Sequence, residues 1–385
     1  MRKAILITGL TIIAGFTSIK VTGQNDDLKY RPFQVTFISP IGTNGANSGD
    51  YVNELSLNIL GGYNGGLDGF ELGSLVNILR KDMDGFQGAG FANLVGGKAD
   101  GAQISGFLNI VNEHSEGMQL GGFANINGSG FDGLQGAGFL NITGGNSEVI
   151  EIGGFGNLNA GDIEGAQLAG FINLAESVNG AQLGGFINIA DKVDGAQIAG
   201  FINIADKAEG IQLSVINICD SIDGIPIGFL SFVKKNGYKT WEFWGSDAMH
   251  MNLAYKLGVK HFYNIFAVGG HFTSGFNFGY GYGVGSQFNI TDGSNISIDL
   301  IHWDIRPNWF SWNYNSLSQA RINFSMEYNE TNSFFVGPTF NVLITDVLHS
   351  SNKLDRFAPY VFYNRTTRNN YNVKMWVGIN GGIRF

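Results

Sequence analysis

The chain is poor in residues that staple, break or charge a fold: of its 385 residues one is cysteine, six are proline and 14% are charged. Cys219 has no partner for an intramolecular disulfide, and it lies too far from the N-terminus to be the acylated cysteine of a lipoprotein. Neither it nor the six histidines (His114, His250, His261, His271, His302, His349) fall at metal-ligand spacing. A Gly-x-Ser-x-Gly elbow and a phosphate-binding Gly-Lys-Ser/Thr loop are both missing. The Gly-x-Gly pattern within Gly279–Gly285 follows no βα unit and reads as smooth sheet beneath aromatic neighbours. No residue is therefore assigned to catalysis, to a cofactor or to a metal, and the expectation is a non-enzyme.

Two further shortages narrow the class. No apolar run approaches the ~20 residues of a membrane helix, and no 3.6-spaced pattern with caps is present, so neither a helical membrane protein nor a helix-rich domain is expected. Positive charge is scarce: the net charge is −9, and −12 without Arg2, Lys3 and Lys20, which argues against nucleic acid as a partner. Arg2, Lys3, the apolar run Ala4–Phe16 and the small residues up to Gly23 have the make-up of a secretory signal peptide over residues 1–23. Val21 and Gly23 suit its cleavage site.

What is abundant is glycine, with 58 residues, and aromatic side chains, with 31 Phe and 13 Tyr, a balance that points to β-structure. Between residues 54 and 224 the sequence repeats itself. Units such as Gly165–Leu174, Gly180–Ile189 and Gly195–Ile204 recur every 15 residues, and earlier copies from Gly69 to Gly133 recur every 16. Nearly every unit has a Gln, replaced by Glu71 and Glu151 in two of them. Each has an Asn, from Asn77 to Asn217, usually with a Phe two positions before it.

Units this short bury no core alone and must stack. In-register stacking would place Asn over Asn, Gln over Gln and Phe over Phe, as side-chain ladders. The expected fold is thus all-β, with a parallel β-solenoid of one repeat per coil. Its alternative is an antiparallel meander in which the repeats are strands of one large barrel. In the copy at Gly210 the Gln-to-Asn distance drops from six residues to five, which a coil corner absorbs and a straight strand does not. Ala169-Gly170 and Gly184-Gly185 suit such corners through glycine's conformational freedom. Acids in the turns, among them Asp191, Asp194, Asp206, Glu209, Asp220 and Asp223, raise the idea of calcium between coils. Lys192 and Lys207 beside them, and Asp before Gly, favour solvated turns instead.

Residues 225–385 change to strict alternation. In the last strand Val373, Met375, Val377, Ile379, Gly381, Ile383 and Phe385 share one face, and Lys374, Trp376, Asn380 and Arg384 the other. Ala320, Ile322, Phe324, Met326 and Tyr328 alternate with polar residues, as do Met249, Met251, Leu253 and Tyr255. Phe278, Tyr280, Tyr282 and Val284 alternate with glycines. About nine such strands are expected, forming an outer-membrane β-barrel that is apolar outside and polar inside. Trp241, Trp244, Trp303, Trp309, Trp312, Tyr360 and Tyr363 near strand ends would form its interfacial girdle. Residues 24–53 form an N-terminal segment in which Phe33–Phe37 is a candidate to pair with the last strand and close the barrel. A terminal Phe385 at a strand end is similar to the signal read by the bacterial outer-membrane assembly machinery.

The repeat units, the opening Pro32–Pro40 and the run Gly224–Phe232 resemble repeat-bearing bacterial surface proteins of spirochaetes and Bacteroidetes-type bacteria. The resemblance implies a Gram-negative cell-surface or outer-membrane location and transfers no functional residues; unlike some members, this chain has no lipobox. The reading is an outer-membrane barrel carrying a repeat domain for structural or adhesive contact. Its partners would be outer-membrane lipid, the assembly machinery, and a surface ligand or other cells. The alternative is a channel or small-solute transporter. A lipid-acting barrel enzyme using His250 or His302 is a third reading.

Overall fold

The structure is a computed structural model that describes residues 28–272, 276–306, 315–329, 332–346 and 360–385. The expected signal peptide, Trp309 and Trp312 lie outside the described residues. Among the described residues strand dominates and helix is confined to one short 3-10 turn at Gly45–Asp50, and the chain divides into two compact units, residues 1–215 and 216–385.

The first unit is a parallel β-solenoid, as the repeats predict. Each coil contributes a longer and a shorter strand. Ser115–Gly121 pairs in parallel with Ala99–Ser105 on one side and Phe131–Ala137 on the other, so Gln119 sits opposite Gln103 and Gln135. The shorter strand Ala124–Asn127 lies between Leu108–Val111 and Leu140–Thr143, with Asn125 opposite Asn109 and Asn141. Such parallel pairing excludes the meander. In the shortened copy the corner keeps its two residues, Ser214 and Val215, and the strand before it ends at Leu213, one residue after its Gln, where the copy before ends at Ala199, two residues after Gln197.

Two glycine columns allow the coils to approach. Gly117, just before Met118-Gln119, has φ +108°, a conformation L side chains rarely adopt, and a Cβ there would strike the carbonyl oxygen of Gly101 one coil below. The corner glycines have a different reason from the one expected. Gly170 has no positive φ, but its Cβ would collide with the carbonyl oxygen of Gly154, so the constraint is steric contact between coils. The N-terminal strand Lys29–Ile38, which holds Phe33–Phe37, pairs in parallel with Tyr51–Asn64 and so belongs to this sheet rather than to the barrel.

In the second unit, the repeat pattern runs on to Val233, where Leu230–Val233 pairs in parallel with Ile216–Cys219. Beyond it lies an antiparallel sheet of nine strands. Eight of them, from Tyr238–Ser246 to Tyr371–Arg384, pair in sequence, and the last returns to the first through Glu242 opposite Arg384. The sheet therefore closes into an eight-stranded barrel. The ninth strand, Tyr363–Thr366, adds to the last strand at its far end.

The barrel connections differ in length at its two ends. One end carries residues 260–261, 292–293 and 328–332, together with Tyr238 and Phe385. The other carries 247–250, 272–276, 307–314 and 347–370.

Candidate functional site

An eight-stranded barrel has an interior just wide enough for side chains to fill, and here five charged groups fill it. Glu242 accepts from Lys256 Nζ at 2.7 Å, Arg321 Nη2 at 2.7 Å and Arg384 Nε at 2.9 Å. Asp299 accepts from Lys256 at 3.0 Å, Arg321 at 2.7 Å and the Tyr263 hydroxyl at 2.7 Å. Arg384 reaches Ser325 and Ser297 at 2.9 and 2.8 Å, and Arg321 lies 4.4 Å over the Trp244 ring. All five are almost fully buried. Buried charges are tolerated only when paired and hydrogen-bonded; each of the five is ion-paired here, three cations around two acids, with Arg321 engaged through Nη2 while its Nε and Nη1 find no hydrogen-bond partner.

Alternation carries the complementary residues outward. Ile322, Val377 and Ile379 are 52–64% exposed, and Phe324, Met326, Val336 and Phe340 are exposed as well. The polarity is thus inverted relative to a protein with a dry core, with apolar side chains outside and charge within.

Trp244 and Trp303 do not join an exposed girdle as the sequence led us to expect. They share the inward parity of Glu242 and Ile301, and with Trp376 they form a buried cluster towards the long-loop end; Trp241, by contrast, is exposed. Inward glycines opposite make the room: a Cβ at Gly281 would lie 2.9 Å from the Trp303 ring. Met249 is also buried in this cluster instead of extending the outward row, because its strand begins only at Met251.

The histidines named for acid–base chemistry do not assemble a site. His250 lies in the connection before that strand, not on a lumen-facing strand position, and its ring stacks on His271 at 4.2 Å. His302 is on the barrel exterior, with Nδ1 3.0 Å from Ser318 Oγ on the adjacent strand. Asp304, which would orient such a pair, is held by the Tyr280 hydroxyl at 2.7 Å and by Arg306. Ser318 and His302 thus lack the third group that a nucleophile–base pair needs.

In the solenoid, the interior is built from the repeated amides. Asn109 donates Nδ2 to Asn125 Oδ1 at 2.8 Å and also to the Leu120 carbonyl at 2.8 Å, which fixes the orientation of its amide. The same forward donation runs from Asn58 to Asn203, including Asn141 to Asn157 and Asn188 to Asn203. The glutamines donate the other way. Gln103 gives to Gln87, Gln119 to Gln103, Gln135 to Gln119, and Gln182, Gln197 and Gln212 each to the one before. The two amide chains therefore oppose one another in polarity.

A chain donating backwards needs an acceptor at its start, and Glu71 supplies it. Its carboxylate accepts from Gln87, Ser56, Asn58 and Asn64 at 2.6–2.9 Å. Glu151 restarts the chain midway, accepting from Gln167 at 2.7 Å. Both carboxyls are fully buried, and burial pushes their pKa above the ordinary value despite these donors. Sequence reading found the two substitutions as exceptions to a pattern and had no means of seeing that they terminate and restart it.

The outer surface of each coil is split. Asp100, Glu116 and Asp132 stand in register in one column, continued by Glu148 and Glu164. A groove of about 550 Å³ runs beside it, lined by Glu148, Asp162, Glu164 and Asp194 together with Lys192 and Lys207. Among the described residues no three His, Cys, Asp or Glu side chains group as metal ligands. Around the corner, Phe91, Phe107, Phe123, Phe139, Phe155, Phe171, Phe186 and Phe201 form a continuous ring stack with centroids 4.8–5.0 Å apart.

These features define an all-β chain built from a parallel β-solenoid and a closed antiparallel barrel of inverted polarity. No family model, no curated protein and no solved structure matches it.

Proposed function

We propose that this chain is an outer-membrane β-barrel protein of a Gram-negative bacterium that anchors a β-solenoid used for structural contact, without enzymatic activity. The observation that carries the reading is the inverted barrel: an apolar exterior around the Glu242–Lys256–Asp299–Arg321–Arg384 network. Lipid accepts such an exterior, and backbone closure leaves no edge unpaired within it. The filled lumen argues against the channel alternative.

The connections favour one orientation. Barrels of this class place short turns in the periplasm and long loops outside. Tyr238 and Phe385 lie at the short-turn end, so the chain preceding Tyr238 meets the barrel on the periplasmic side. The repeats are accordingly periplasmic rather than adhesive at the cell surface.

Protease added to intact cells should leave the repeats whole and cut them once the outer membrane is permeabilised. Purified protein should add no discrete conductance steps to a planar bilayer. Recovery of the chain in the soluble fraction would sink the barrel reading; cleavage of the repeats on intact cells would reverse the orientation.

A further inference from the structure

Three neighbouring columns on the outside of the solenoid carry no polar side chain at all. They are the positions before and after each Gln, such as Ile150 and Ile152 around Glu151 or Ala196 and Ile198 around Gln197, and the Phe stack. Between Phe70 and Val215 every residue in these columns is apolar or glycine. Leu134, Ile150, Ile152, Leu183, Ile198 and each ring of the Phe91–Phe201 stack are 38–48% exposed. Ten coils at ~4.8 Å and a width of ~15 Å give an apolar face of about 700 Å², above the few hundred expected of a soluble monomer.

The backbone of this face is as closed as its side chains. At the corner, Gly106 N donates to Ala89 O at 3.1 Å, and Phe107 N and Leu108 N both donate to Phe91 O at 3.0 Å. The pattern repeats at Gly122, Phe123 and Ala124 and at later corners. A protein interface of this size carries several hydrogen bonds, and the only exposed side-chain group this face offers for one between Phe70 and Val215 is the Ser74 hydroxyl at its first corner. Hydrocarbon, in contrast, demands that every polar backbone group be satisfied internally.

From these observations we infer that the apolar face of the solenoid lies against a phospholipid surface, its Phe stack among the acyl chains. The inference rests on the barrel reading, because Tyr238, where the chain enters the membrane, follows the last parallel strand, which ends at Val233, by five residues. The occupant is the leaflet at the short-turn end. Charge selects the lipid further: the acidic column through Asp132, Glu148 and Glu164 borders the face, so a zwitterionic surface is accepted and an anionic one repelled at low salt.

The test uses the full chain with Cys219→Ser, reconstituted in phosphatidylcholine vesicles, with single spin labels on Phe139→Cys, Glu164→Cys and Ile322→Cys. Labels at 139 and 322 should be several-fold more accessible to oxygen than to an aqueous nickel relaxant, and the label at 164 the reverse. Adding phosphatidylglycerol at low salt should lower the oxygen preference at 139 and leave 322 unchanged. A label on Leu183→Cys gives the same reading if the ring stack is disturbed. If 139 and 183 match 164 while 322 stays in lipid, the solenoid face is aqueous and the inference falls alone. Shielding of 139 from both relaxants, with spin–spin broadening, would mean that a second copy covers the face and would equally overturn it. An aqueous signal at 322 removes the barrel reading and the inference with it.

Discussion

Gln167 donates its side-chain amide to Glu151 at 2.7 Å, across one coil, where the other glutamines above Gln87 donate to a glutamine. A carboxylate has no proton to pass on, so Gln135 Oε1, one coil lower, faces only the Thr143 hydroxyl at 3.3 Å, whose one proton lies nearer the Glu151 carboxylate at 3.1 Å. The ladder is interrupted at this coil.

Glu151→Gln should therefore stabilise the solenoid. The folded pKa of Glu151 is raised by burial, so its favourable contribution is complete below the ordinary carboxyl pKa and is lost as pH rises towards the folded value. Glutamine removes that loss and supplies a donor for Gln135. Thermal unfolding of wild type and variant should diverge as pH increases from 4 to 8, with the variant about 1–2 kcal/mol more stable at the upper end. Parallel curves would contradict this account.

The same substitution at Glu71 should have the opposite sign. Burial raises the Glu71 carboxyl as it does Glu151, but Glu71 faces four donors and has Ser56 rather than a ladder glutamine opposite it one coil lower, so a Gln amide nitrogen must confront some of those donors. A loss of about 1–3 kcal/mol is expected from buried donors left without acceptors. Urea unfolding followed by circular dichroism would decide it, and a gain in stability would refute the directional ladder.

In the Asn column, Asn125→Asp should destabilise although it is nearly isosteric. Asn125 Nδ2 serves both the Gly136 carbonyl at 2.7 Å and Asn141 at 2.9 Å, and an aspartate oxygen would face two acceptors. Coils touch only their neighbours, so the defect sits in the middle of the stack, where it should lower the transition midpoint in urea and broaden the transition. An unchanged transition would mean that the ladder contributes nothing.

Within the barrel, Glu242→Ala leaves Lys256 and Arg321 to Asp299 and takes from Arg384 its ion-pair partner, leaving it on the Ser297 and Ser325 hydroxyls. Removing one partner of a buried ion network costs about 3–5 kcal/mol. On the exterior, Ile322→Arg should cost about 2–4 kcal/mol in a bilayer through exposure of charge to lipid. Refolding yield and urea midpoint in phospholipid vesicles measure both; a neutral Ile322→Arg would argue that the exterior does not face hydrocarbon.

Much of this was legible in the sequence because it depends on period. A repeat of 15 or 16 residues forces like side chains into columns, and alternation of period two assigns Ile322 and Arg321 to opposite faces whatever the strand's neighbours. At Trp244 and Trp303 parity overrides nearness to a strand end, and both rings turn inward rather than into an exposed girdle. The fit of Trp303 against Gly281 joins residues on neighbouring strands, and composition holds no record of it.

By itself the sequence determined the coil repeat, the ladder residues, the acidic and apolar columns and the two faces of each barrel strand, since all are local or periodic. Only the tertiary structure decided which strand closes the barrel, that Phe33–Phe37 joins the solenoid sheet, and that the Asn and Gln ladders run in opposite directions. The physical reason is common to all three. Strand partners and hydrogen-bond direction are settled by which donors and acceptors face each other across space, and residues as distant in the chain as Glu242 and Arg384 meet only once the sheet has closed.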